Sequence, residues 1–206
     1  MSLLNQKTIK ETVKFTGIGL HNGKKVNLCI KPSEPNTGIV FKRVDLKNNN
    51  LIYPNFANVT NTSLNTTISN EFNVKVSTIE HLMGALFGLG VDNVVIEIDN
   101  EEIPIMDGSA KDFLNIIKNT KIKELSKKRK YLKILDKVEL IDGKRKISIE
   151  PFKSSFEVDF ELNYNNPIIG KQRNVINFQK DDLTDVSNSR TFCLFEDINK
   201  IKKIGL

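Results

Sequence analysis

Glu80 and His81 are the adjacent pair in this chain best suited to chemistry. A neutral imidazole is a common zinc ligand, and a carboxylate beside it can take a proton from a water that a metal has acidified. Ile79, Leu82, Met83 and Leu86 fall at i, i+3, i+4 and i+7, the spacing of one helical face. The pair therefore sits one turn into a helix, off its apolar stripe. Gly84, Ala85 and Gly88 make the neighbouring side small and open to close approach. The positive end of the helix disfavours an imidazolium and keeps the ring available to a metal. A second reading stands beside this one. Ser77-Thr78-Ile79-Glu80 fits the S-x-x-E capping box, in which Glu80 only bonds the N-cap amide. A Glu-His dipeptide is far less specific than H-E-x-x-H, so spacing leaves both readings open.

Three other positions carry polar groups of interest. His21 precedes Asn22-Gly23 at a hairpin, where a solvated side chain is the ordinary outcome. Asp107 lies in Ile103-Pro104-Ile105-Met106-Asp107-Gly108-Ser109 and reads as a turn residue leading to a Ser109 cap. Thr191, in Ser189-Arg190-Thr191-Phe192, offers a hydroxyl in what is locally a loop-to-strand entry. Cys29 and Cys193 are far apart and in no metal-binding or disulfide pattern.

The elements that must position these residues are legible by period. Thr8–Leu20 is strand-like, Lys25–Ile30 alternates with period 2, and Asn22-Gly23 between them is a hairpin signal. Ile39–Val44 and Val94–Ile98 read as strands, and Asn48–Asn50 as a polar loop. A helix spans Ser77–Leu89 and stops at Gly90; a shorter one follows Ser109, with Phe113, Leu114 and Ile117 as its stripe. The charged run Lys121–Lys130 has no core pattern and reads as a linker, dividing an N-terminal α+β domain (1–122) from a second one (131–206). In the second, Asp142-Gly143 marks a hairpin, Phe156–Leu162 alternates as a half-buried strand, and Asp197–Ile204 begins a helix. The two early hairpins, each closing on a strand and an X-Pro, hint at a duplicated unit. Strands and helices without a βαβ rhythm indicate an α+β fold.

Composition narrows the function classes. The 206 residues carry a formal charge of +6, yet the basic residues are Lys apart from Arg43, Arg129, Arg145, Arg173 and Arg190. No basic run is interleaved with stacking aromatics, which speaks against nucleic acid. A modest positive field suits an anionic nucleotide-sugar or an anionic membrane surface. The N-terminal stretch lacks a signal-peptide h-region, and no run of about 18 apolar residues exists, so a cytoplasmic setting is expected.

Together, Gly17–Lys24, Val76–Leu82, Gly88–Asn93, Glu102–Ser109 and Ser189–Phe192 resemble, in order and at close to its spacing, the bacterial zinc-dependent UDP-3-O-acyl-N-acetylglucosamine deacetylase family. The resemblance runs from about Gln6 to Leu206. It implies two similar domains, each a small sheet with helices on one face, the second incomplete here. It implies one catalytic Zn2+ with His81 as a ligand, Glu80 as the general base that activates the attacking water, and Thr191 as a donor to the oxyanion. Phe192 and Leu64 would line the path of the acyl chain and sugar, and His21 matches a histidine near the active site. The partners implied are UDP-3-O-acyl-N-acetylglucosamine and, peripherally, the inner-membrane surface, with no nucleic acid and a monomeric full-length protein. The sequence departs from the family in places. The H-K-x-x-D motif that supplies the other zinc ligands is absent, and no histidine follows His81. Cys193 stands where Gly is usual, and Asn65 where many members carry Cys. A C-terminally truncated and catalytically inactive chain with exposed apolar sheet surface is therefore expected. A groove-binding protein that has lost its metal is the competing reading, and an RNA-binding module a third.

Overall fold

A computed structural model describes residues 4–153, 155–195 and 198. In chain order the strands and helices are β1 (Asn5–Ile9), β2 (Val13–Ile18), β3 (Lys25–Pro32), β4 (Ile39–Arg43), β5 (Leu51–Ile52), β6 (Val59–Asn61), β7 (Thr67–Ser69), β8 (Lys75–Val76), α1 (Glu80–Gly88), β9 (Val94–Ile98), α2 (Lys111–Asn119), β10 (Ile122–Lys128), β11 (Val138–Asp142), β12 (Arg145–Ile149), β13 (Glu157–Asn163), β14 (Lys171–Asn177) and α3 (Thr184–Asn188). The fold is α+β, as the sequence indicates. The chain divides into two compact units. One runs from the N-terminus to Arg129 and resumes at Asp185; the other is Lys130–Thr184.

The first unit is built on a five-stranded sheet in the order β2-β3-β9-β4-β5, in which only β4 and β9 run parallel. Alternation decides its faces. Val26, Leu28 and Ile30 of β3 and Val94, Ile96 and Ile98 of β9 are buried, and Leu28 faces Ile98 across the ladder. They join one core with Leu82, Ala85 and Leu86 of α1 and Phe113 and Ile117 of α2. Phe15 of β2 meets Phe113 with ring centroids 5.1 Å apart. The opposite side carries charge: Lys31 pairs with Glu97 at 2.7 Å. A second sheet, β6-β7-β8, leads directly into α1.

Three expectations fail in this unit. Thr8–Leu20 is not one strand, because the chain turns at Lys10-Glu11 and sends β1 away from the main sheet. The partner of β1 is β10, so Lys121–Lys130 is not a linker: Ile122 pairs with Ile9 and Lys123 with Thr8 in an antiparallel ribbon. Arg129 then fastens the end of the ribbon, its Nη2 donating to the Gly90 carbonyl at 2.6 Å and to Asp92 Oδ2 at 2.8 Å. Ala85 points into the core, so the small-residue side of α1 is not open as a whole; Gly84 is.

In the second unit the Asp142-Gly143 hairpin forms between β11 and β12, with Gly143 at φ 58° as the turn requires. The alternating strand is present as β13, paired with β14. It is half-buried only in part: Val158 and Leu162 are partly covered, but Phe160 is 56% exposed, and Leu140 and Ile147 of the first hairpin are 68% and 70% exposed. The expected helix at Asp197–Ile204 lies outside the described residues apart from Ile198.

Candidate active site at the head of the first helix

Sequence places Glu80 and His81 near the beginning of a helix, and they form the first turn of α1, Glu80 exposed and His81 half-buried. The capping box does not form. The N-cap position is Ile79, which provides no side-chain hydrogen bond. Ser77 is drawn away into a parallel bridge with Glu102, its amide donating to the Glu101 carbonyl at 2.8 Å and its hydroxyl to the same oxygen at 3.2 Å. Thr78 then turns through φ 57°, a left-handed conformation that costs a β-branched residue about 1–3 kcal/mol. Freed from capping, Glu80 Oε1 accepts instead from the amide of Thr66. The hydrogen bond brings in Leu64, two residues earlier, which stands 64% exposed at φ 64°. Leu64 therefore lies two residues along the chain from the amide that Glu80 holds.

His21 is tied to the entry of α1 by a residue to which the sequence assigns no role. Glu102 is 1% exposed. Its Oε1 accepts from the His21 amide at 2.9 Å and from the Thr78 hydroxyl at 3.0 Å, and its Oε2 from the Asn22 amide at 2.9 Å. The absence of a side chain at Gly19 permits this approach: a Cβ there would fall against Asn22 Oδ1 and 2.5 Å from Glu102 Oε2. The available signal was a glutamate opening an apolar run, Glu102-Ile103-Pro104-Ile105, where burial demands donors. His21 Nε2 is buried and has no hydrogen-bond partner among the described residues.

The same segment continues to Asp107-Gly108, which receives Thr191. The Thr191 amide donates to the Gly108 carbonyl at 2.9 Å, and Arg190 Nη2 lies 3.4 Å from Asp107 Oδ2. Asp107 Oδ1 accepts from the Ser109 hydroxyl at 2.6 Å and the Ser109 amide at 3.0 Å. The Ser109 hydroxyl above all, then the Ser109 amide and the Arg190 guanidinium, hold the Asp107 carboxyl below the usual carboxylate range. Ser109 is one residue short of the expected cap position, which Ala110 takes, although its hydroxyl accepts from the Lys111 amide at 3.2 Å. The Thr191 hydroxyl takes no partner among the described residues, and Phe192 is 54% exposed. No hydrogen bond or ion pair among the described residues joins Thr191 to Glu80 or His81; Glu102–Gly108 is the segment common to both.

These parts could hold and deprotonate a water beside a ligating imidazole. Among the described residues there is no group of three His, Cys, Asp or Glu side chains able to hold a metal ion. A catalytic zinc normally takes three protein ligands, a set that the described residues do not supply.

Residues 6–206 match the model of the UDP-3-O-acyl N-acetylglycosamine deacetylase family. A protein of Shewanella frigidimarina (strain NCIMB 400) named UDP-3-O-acyl-N-acetylglucosamine deacetylase is 42% identical over 207 residues, covering 99% of this chain and 67% of that protein. Proteins of the same name from Shewanella loihica (strain ATCC BAA-1088 / PV-4) and Haemophilus influenzae (strain PittEE) are 43% and 40% identical, again over 99% of this chain and over 67% and 68% of their own lengths.

Proposed function

This chain belongs to the UDP-3-O-acyl N-acetylglycosamine deacetylase family, and from that premise we propose that its site serves zinc-dependent hydrolysis of the acetamide of UDP-3-O-acyl-N-acetylglucosamine, a step of lipid A biosynthesis. The observation that carries the reading is Glu80: a carboxylate released from capping, oriented by the Thr66 amide through one oxygen, next to an imidazole at the head of a helix. Glu80 Oε2, the oxygen not engaged by Thr66, takes the proton from the attacking water. His81 would be one ligand of a zinc ion. Zinc, when bound, supplies Lewis acidity, polarising the carbonyl and bringing the pKa of water to about 7. The Thr191 hydroxyl donates to the oxyanion as the carbonyl carbon becomes tetrahedral. Breaking the C–N bond leaves acetate and a free amine on the sugar. Leu64 and Phe192, both exposed apolar side chains, would take the acyl chain and sugar, and His21 would be a further substrate contact.

The setting proposed is a monomeric cytoplasmic enzyme that meets the inner-membrane surface peripherally, where its substrate's acyl chain resides; a formal charge of +6 suits both an anionic substrate and an anionic surface. No helix among the described residues is long and apolar enough to cross a membrane.

The deciding assay follows acetate release from UDP-3-O-acyl-N-acetylglucosamine with zinc supplied. It uses the chain itself and a chimera in which the chain replaces the matching two thirds of the Haemophilus influenzae relative. Glu80→Gln keeps an acceptor for Thr66 and removes the base, so the rate in the active form should fall by about 10²–10⁴-fold. Activity in neither form, or an undiminished rate in the variant, would sink the proposal.

A further inference from the structure

We infer that Glu102 is a positioning residue for both histidines of the chain, holding the His21 hairpin and the entry to α1 in one arrangement through a single buried carboxylate. The inference rests on the reading of Glu80 and His81 given above.

Glu102 is 1% exposed, and no cation pairs with it among the described residues. A buried carboxylate in that state is costly unless donors satisfy it, and stability alone would be served better by an apolar side chain. Its three donors come from two separate elements: the amides of His21 and Asn22 on the hairpin, and the hydroxyl of Thr78. Each element carries one of the two histidines. Thr78 holds a left-handed conformation immediately before α1, and α1 has no side-chain cap of its own. The direction of the first helical turn, and with it the placement of Glu80 and His81, is therefore set by the turn that Glu102 fixes. On the other arm, the two amides hold the hairpin that carries His21, whose Nε2 is buried without a partner among the described residues. Glu102 makes no contact with the reacting groups and acts through these neighbours.

The two histidines make the test direct, because isotope-labelled histidine gives two sets of ring signals in the whole protein, assignable with His21→Gln. At fixed pH, Glu102→Gln replaces one acceptor oxygen by an amide nitrogen that cannot accept. Both ring signals should move by more than a linewidth. Thr78→Val removes one hydroxyl and should move the His81 signal while leaving that of His21 in place. Ile9→Val, a core change in β1, serves as the control for general loosening and should move neither. Ring signals in Glu102→Gln that coincide with the parent's, or that move no more than in the control, overturn the inference. If Glu102→Gln does not fold, Thr78→Val decides alone, and an unmoved His81 signal overturns it. Acetate release on the same samples reads the chemistry separately. Displaced rings in a protein that hydrolyses nothing under any zinc loading support the positioning role and remove the deacetylase reading.

Discussion

At the scale of single residues, Asp107 shows how a turn residue comes to matter for the site. Its carboxylate holds the Ser109 hydroxyl and amide on one side and faces Arg190 on the other, so it joins the 102–109 segment to the residue before Thr191. These contacts, led by the Ser109 hydroxyl, lower its pKa from an ordinary value of about 3.9. The sign of the pH effect follows. The folded state binds this proton less readily than the unfolded one. The stabilisation is therefore complete above the ordinary carboxylate range and is lost as pH falls through the lowered folded value. Thermal melts of the parent and Asp107→Asn should differ at about pH 6 and draw together as pH falls below the ordinary carboxylate range. A gap that stays constant across that range would show that the Ser109 and Arg190 contacts contribute nothing through this charge.

At the scale of elements, local pattern and long-range pairing compete, and the outcome differs from place to place. The Asp142-Gly143 hairpin was readable because a two-residue turn carries its own geometry; Asn22-Gly23 also marks a hairpin, although its ladder ends at Ile18 and Lys25 and the connection is longer. The capping box at Ser77–Glu80 was equally well written and did not form. Its hydroxyl and carboxylate found partners at Glu101 and Thr66, which no local rule can foresee. Ser77→Ala should consequently lower stability by only a few tenths of a kcal/mol, where a working cap would cost about 1; denaturant midpoints distinguish the two. The ribbon of β1 and β10 was invisible for a related reason. Its strands are short, one is rich in Lys, and they lie more than a hundred residues apart. Limited trypsin digestion should spare the bond after Lys123, in the paired part of β10, and cut first beyond Lys130. An early cut after Lys123 would argue for the linker instead. At the candidate site, the resemblance pointed to Glu80, His81, Leu64, Phe192, His21 and Thr191, while Glu102 was hidden because its donors lie 24, 80 and 81 positions away.

At the scale of the whole molecule, burial is very unevenly shared. Every fully buried apolar side chain among the described residues lies between Ile9 and Ile117, inside the first unit. Val138, Leu140, Ile147 and Phe160 of the second unit are more than half exposed. The two units should therefore respond differently to the same kind of truncation. Leu82→Ala, at a position with no exposure, should cost about 2–5 kcal/mol. Phe160→Ser should leave the main unfolding transition within about 0.5 kcal/mol of the parent. Equal losses in urea titrations would mean that the second unit shares the core's cooperativity.

The ribbon between β1 and β10 also sets an order of events during synthesis. β1 leaves the ribosome well before its partner, which follows only after the five-stranded sheet, α1 and α2 have been made. At roughly 5–20 residues per second, Ile9 and its neighbours wait on the order of ten seconds with an unpaired edge. The closure at Arg129 and Asp92 comes later still. A nascent chain stalled before Lys121 would hold the candidate catalytic helix and still present an open strand to whatever chaperone or neighbouring chain reached it first.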